Sequence, residues 1–234
     1  MGSAAQMPPG ENRLPPRIRA LIYDFDNTIV GTERINEELF TGLLLGEFEV
    51  HLTPLEQEHL HGLPWSGVFD WLDEHRGTGD RRPEIWRRFL EVKRESLRRR
   101  KPPMGTGLDL MFALPVPQAI VTGSSREELR MVMEAIGMPA DGFAAILCDE
   151  DCARGKPDPE GYLRALNMLH VDAAEALVFE DSRPGIAAAR MAGITVAFIS
   201  ELASRDRAAD ADVCFQSFTE AWQAVKDRTD GNLR

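Results

Sequence analysis

The chain has 234 residues, 43% hydrophobic and 28% charged, enough for one large soluble domain or a core domain carrying an insertion. No apolar run approaches the ~20 residues of a membrane span, and the first residues lack the apolar stretch of a signal peptide. Twenty-seven basic residues against 38 acidic ones give a net charge of −11. That argues against nucleic acid or a membrane surface as partner, but not against a small anion held by local cations or a metal. The three cysteines, Cys148, Cys152 and Cys214, cannot pair completely and form no CxxC pair, so a cytoplasmic location is expected.

Residues 1–16, rich in Pro, Gly and Ala without periodicity, read as a mobile lead-in. Residues 18–23 (IRALIY) then form a short apolar run that ends at Asp24, the pattern of a buried parallel strand. Similar runs recur at 118–122, 144–148, 176–180, 194–199 and 212–215. Between them, 125–136 reads as a helix stopped by Gly137, and 159–169 as a helix with Asp158 as N-cap and Pro159 at its first position. A third helix, 184–191, ends at Gly193. Alternating strands and helices from 118 to 225 predict βαβ units and a parallel sheet.

Residues 32–101 break that rhythm and carry only helical periodicity, with Ile85, Phe89, Val92 and Ser96 expected on one face. Arg94, Arg98, Arg99, Arg100 and Lys101 crowd the end of that stretch, where cations suit the helix dipole and a solvated helix end is the plainer reading. The expected organisation is a Rossmann-like α/β core over 17–30 and 102–234, with an all-α insertion over 31–101.

The chemistry concentrates where predicted strands end. Asp24-Phe25-Asp26-Asn27-Thr28 places two carboxylates directly after an apolar run, a local conflict that marks function, at the strand edge where α/β sheets bind ligands. The next run closes on Thr122-Gly123-Ser124-Ser125, whose hydroxyls and exposed amides suit an anion. A loop carries Lys156 in Gly155-Lys156-Pro157-Asp158-Pro159, and another run meets Glu180-Asp181-Ser182. Parallel topology would gather four carboxylates, a hydroxyl, an ammonium and free amides at one edge, a set suited to a hard divalent cation and a phosphoryl group.

These four segments, in this order, resemble the motifs of the haloacid dehalogenase superfamily, in its phosphatase and phosphomutase branch with a helical cap after the first motif. The resemblance implies a phosphatase that acts on a small phosphorylated metabolite through an aspartyl-phosphate. In it, Asp24 is the nucleophile and Asp26 the general acid and then base. Thr122, Gly123 and Ser124 hold phosphoryl oxygens, and Lys156 neutralises charge. Mg²⁺ is held by Asp24, the Asp26 carbonyl and Asp181, with Glu180 assisting. The helical insertion acts as a lid over crossings at 30–33 and 101–107, and the protein is a monomer or weak homodimer.

Several other readings fit less well. Phospho-accepting receiver modules lack an inserted helical unit, and a catalytically inactive binding protein would lack a motif residue. Dehalogenases lack the second acid that Asp26 supplies. β-Phosphoglucomutase-like mutases are the nearer alternative within the family. Read without gaps from Gly62, however, Trp65 occupies the position of their phosphate-binding arginine and of the Schiff-base lysine of phosphonoacetaldehyde hydrolases. Asn36 likewise stands in place of the mutase histidine. Trp65 is therefore expected either to meet the leaving group or to pack inside the cap. His59 and His61 are placed to chelate a metal, though a solvated acidic stretch is the plainer reading.

Overall fold

A computed structural model of the chain describes residues 13–61, 63–203, 208 and 210–229. The described residues fall into two compact units. One runs up to Gly31 and includes Pro103–Leu129 and everything from Pro139 onward; the other comprises Thr32–Pro102 together with Arg130–Met138. The helices are α1 (Glu33–Phe48), α2 (Pro54–Leu60), α3 (Trp65–Arg76), α4 (Arg82–Arg99), α5 (Arg126–Ile136), α6 (Glu160–Leu169), α7 (Arg183–Met191) and α8 (Phe218–Val225).

The first unit is built on six parallel strands: β1 (Ala20–Tyr23), β2 (Gln118–Val121), β3 (Ala145–Leu147), β4 (Ala176–Glu180), β5 (Thr195–Ile199) and β6 (Val213–Phe215). Each coincides with one of the apolar runs. Their order is β3-β2-β1-β4-β5-β6, so the chain steps outward from β1, then returns to place β4 on its other side. That reversal makes a switch point beside β1, and α/β sheets bind ligands at the carboxyl ends of the strands at such a point. Register pairs Ile22 with Ala119 on one side and with Val178 on the other.

Alternation along the strands sorts the core into two layers. Ala20, Ile22, Val121, Val178 and Phe198 share one buried cluster with Tyr162, Leu166, Ile186 and Ala189 of α6 and α7. Among the intervening residues, Tyr23 stacks on Phe179 at 5.3 Å and meets Phe218 and Trp222 of α8. The two crossings to the helical unit run side by side, since Gly31 N–H donates to Pro103 O at 2.8 Å and Gly105 N–H to Ile29 O at 3.0 Å.

The second unit packs α1 against α4, with an aromatic cluster of Phe40, Trp65, Phe69, Trp86 and Phe89. Thr53 and Glu56 close a capping box at α2.

Three expectations need correction. Residues 1–12 lie outside the described residues, but Leu14 and Pro15 of the expected mobile lead-in are buried. Helix α6 begins at Glu160, one residue late, with Pro159 as the capping position; Asp158 still accepts the Glu160 N–H at 3.0 Å. On α4 the buried residues are Ile85, Phe89, Leu90, Lys93 and Leu97, and Val92 and Ser96 are only partly covered. The stem of Lys93 is apolar enough to take a core position, which hydropathy counting misses.

Candidate active site

Asp24 N–H donates to Phe179 O at 2.9 Å, extending the β1–β4 ladder one residue past the strand and fixing the backbone under the first carboxylate. The chain then turns sharply. Asn27 adopts a left-handed conformation (φ 58°), which a short amide side chain tolerates, and its N–H donates to Val30 O at 2.7 Å. The turn delivers Thr28, fully buried, to donate to Asp181 Oδ1 at 3.3 Å.

Lys156 is the centre of the polar network. Its Nζ lies 2.6 Å from Asp24 Oδ1, 2.6 Å from Glu180 Oε1 and 3.1 Å from Val121 O. The loop carrying it is tied down by Glu160, whose carboxylate accepts the N–H groups of Ala153 and Arg154 at 3.0 and 3.1 Å. These backbone bonds hold Glu160 below the usual carboxylate range. Glu180 is fully buried and completely bonded: Oε1 also accepts from Tyr162 OH at 3.0 Å, and Oε2 accepts from Asp181 N, Ser182 N and Ser182 Oγ at 2.9, 2.9 and 3.0 Å. A Cβ on Gly185 would overlap that carboxylate, so the glycine at the start of α7 is required by space.

Burial drives the Asp24 carboxyl well above its ordinary range; Lys156 opposes the shift, and Glu180 and Asp181 add to it. Burial also works against the Lys156 ammonium, but Asp24 and Glu180 outweigh it and raise its pKa well above the normal value. Carboxylate oxygens of Asp24, Glu180 and Asp181 come within 4.8 Å of one another. Three acids against one ammonium leave a deficit of positive charge that a hard cation would fill.

The second motif lies beside Asp26. Ser124 Oγ donates to Asp26 Oδ2 at 2.6 Å, Thr122 Oγ1 lies 3.5 Å from the same oxygen, and Ser124 N–H donates to Thr122 Oγ1 at 3.0 Å. Gly123 between them is exposed, and a Cβ there would meet open space.

The sequence profile of the haloacid dehalogenase-like hydrolases matches residues 21–199. The chain belongs to this family. It is a phosphoric monoester hydrolase. Among its relatives, a validoxylamine A 7'-phosphate phosphatase from Streptomyces hygroscopicus subsp. limoneus is 27% identical over 86% of this chain and 95% of its own. A phosphorylated carbohydrates phosphatase from Thermotoga maritima is 25% identical over 76% of this chain and 82% of its own. The crystal structure of CbbY from Rhodobacter sphaeroides in complex with phosphate superposes with a TM-score of 0.75 at 23% identity, covering 87% of this chain and 96% of that one.

In this hydrolase, Asp24, Asp26, Thr122, Gly123, Ser124, Lys156, Glu180 and Asp181 all belong to the first unit, at the carboxyl ends of β1, β2 and β4 and on the loop after β3. Trp65 belongs to the second unit. It opens α3, and its ring packs 4.8 Å from Phe89, 5.0 Å from Phe40 and 5.3 Å from Trp86, as the cap-packing expectation has it. The Gly62 from which its position was counted lies outside the described residues. His61 faces Glu33 at 3.3 Å and also pairs with Glu37, an exposed imidazole–carboxylate contact. The sequence names Ser182 beside the acidic pair but gives no role to it, to Tyr162 or to Gly185. Only their contacts with Glu180 distinguish them from ordinary helix-start residues.

Proposed function

We propose that this hydrolase dephosphorylates a small sugar or sugar-like monophosphate through an aspartyl-phosphate formed on Asp24. The observation that carries the reading is the Lys156 ammonium, 2.6 Å from both Asp24 and Glu180 in a buried pocket of acids. Lys156 holds Asp24 Oδ1, so Oδ2 is the oxygen presented to phosphorus. Thr122 and the exposed Gly123 amide take phosphoryl oxygens, and Lys156 screens the charge that builds up between nucleophile and phosphoryl group. Asp26, held at rest by Ser124, turns to protonate the leaving oxygen and afterwards takes a proton from the water that hydrolyses the acyl phosphate. Ser124, expected to contact phosphate, is assigned here to holding Asp26.

The donor set fits Mg²⁺: Asp24, Asp181 and the Asp26 carbonyl would hold it, all hard oxygens. When bound, the ion supplies positive charge to the phosphoryl oxygens and to the clustered acids. Glu180, with both oxygens already bonded, is assigned as the counter-ion of Lys156. The sugar-like substrate class rests on the names of the two phosphatase relatives. The helical unit, joined through the paired crossings, is proposed as the cap that selects the leaving group.

Aryl phosphate hydrolysis tests the reading. Wild-type protein should turn over p-nitrophenyl phosphate with Mg²⁺ and stop in excess EDTA. Asp24→Asn should lose all turnover while keeping the wild-type circular dichroism spectrum. Retention of more than a few per cent of the rate by Asp24→Asn would overturn the covalent route, and full activity in EDTA would overturn the metal.

A further inference from the structure

Tyr162 lies in the first turn of α6, fully buried, and the chemistry proposed above gives it no part. Its ring belongs to the core cluster of the α6–α7 face, a place a phenylalanine would fill equally well. The hydroxyl is the polar addition, and it is spent on Glu180 Oε1 at 3.0 Å, the same oxygen that Lys156 reaches at 2.6 Å. The Lys156 ammonium also stands 5.3 Å from the centre of the Tyr162 ring. A lysine has a flexible four-carbon stem and three rotatable donors, so its direction is set by what surrounds the ammonium. Here that surrounding is Asp24, Val121 O, one oxygen of Glu180, and the ring and hydroxyl of Tyr162.

We infer that Tyr162 is a positioning residue of the phosphoryl-transfer site: it pins the Glu180 carboxylate and, through it, aims Lys156 at Asp24. Three donors, the Asp181 and Ser182 N–H groups and the Ser182 hydroxyl, hold Oε2, but they leave the carboxylate able to pivot about that oxygen. The phenol supplies the second fixed point on Oε1. Without it, Lys156 is the one donor left on Oε1 among the described residues, and the lysine loses the reference that orients it. Burial keeps the phenol protonated and therefore a donor.

This inference rests on the phosphatase reading, and its test is Tyr162→Phe, which keeps the ring and removes the hydroxyl. The expected kcat on p-nitrophenyl phosphate falls about 10- to 150-fold, the range of one hydrogen bond to a charged group, with KM within about twofold. Affinity for orthovanadate, which mimics the five-coordinate phosphorus, should weaken by the same factor as kcat/KM, while inhibition by inorganic phosphate stays within about twofold. A purely structural tyrosine would move both inhibitors alike, or track a fall in melting temperature. Unchanged kcat, parallel weakening of vanadate and phosphate, or a loss matched by unfolding each overturns the role of Tyr162. A wild-type protein that fails to hydrolyse the aryl phosphate overturns the phosphatase reading instead.

Discussion

Replacing Gly185 by alanine should be among the most damaging single-methyl changes in the protein. The new Cβ would overlap the Glu180 carboxylate, and two responses are open. The carboxylate can rotate away, breaking its bonds to Lys156, Tyr162 and Ser182 and leaving a buried charge poorly paired, at a cost of about 3–5 kcal/mol. Alternatively, the first turn of α7 can shift. That sacrifices the 3.1 Å bond from Gly185 N–H to Ser182 Oγ, worth about 1 kcal/mol as an N-cap, and adds about 1–3 kcal/mol of overpacking. The cheaper route sets the loss, about 2–4 kcal/mol, or roughly 4–16 °C in melting temperature for a chain of this size. Either route also misplaces the partner of Lys156, so kcat should fall in the molecules that remain folded. Thermal melts by circular dichroism, with aryl phosphate kinetics below the transition, measure both effects. Gly42→Ala in α1 is the control: a Cβ there meets nothing within 4 Å, and the exchange should leave stability unchanged or raise it by up to about 1 kcal/mol. A Gly185→Ala protein that melts within a degree of wild type and keeps its kcat would refute the seat assigned to Glu180.

Trp65→Ala should destabilise the protein by about 2–4 kcal/mol, because it empties part of the aromatic cluster with Phe40, Trp86 and Phe89. Activity per folded molecule toward an aryl phosphate and toward a sugar phosphate should then change by the same factor; a KM rise confined to the sugar phosphate would restore Trp65 as a specificity residue. Glu56 is lowered to about 2 by the Thr53 backbone N–H and then by Arg76. A depressed carboxylate contributes stability that is complete above its ordinary pKa of 4.5 and is lost as pH falls through about 2. The melting-temperature gap between wild type and Glu56→Gln should therefore be full at pH 6 and close as the pH is lowered from about 4.5 to about 2. An equal gap at pH 6 and pH 2 would show that the cap is held by packing alone.

What the sequence determined by itself is local in origin. Short apolar runs bounded by turn residues mark buried strands whatever their neighbours do, so all six strands were legible. A carboxylate pair after such a run is costly enough to stand out, so Asp24 and Glu180 could be picked out from local pattern, whereas Lys156, a loop lysine, takes its role only from the family resemblance. Contacts across the chain decided the rest. Lys156 and Asp24 are 132 residues apart, and nothing in either segment says that the ammonium bridges to Glu180 or that Tyr162 holds the far side of that bridge. Gly185 reads as an ordinary helix-start glycine until the carboxylate beneath it is seen, and the sequence leaves Trp65 open between the leaving group and the cap interior, where Phe40, Trp86 and Phe89 surround it. A residue's pattern records its own preference for helix, strand or burial. The direction in which a buried polar group points is set by partners that only the closed fold brings within hydrogen-bonding distance.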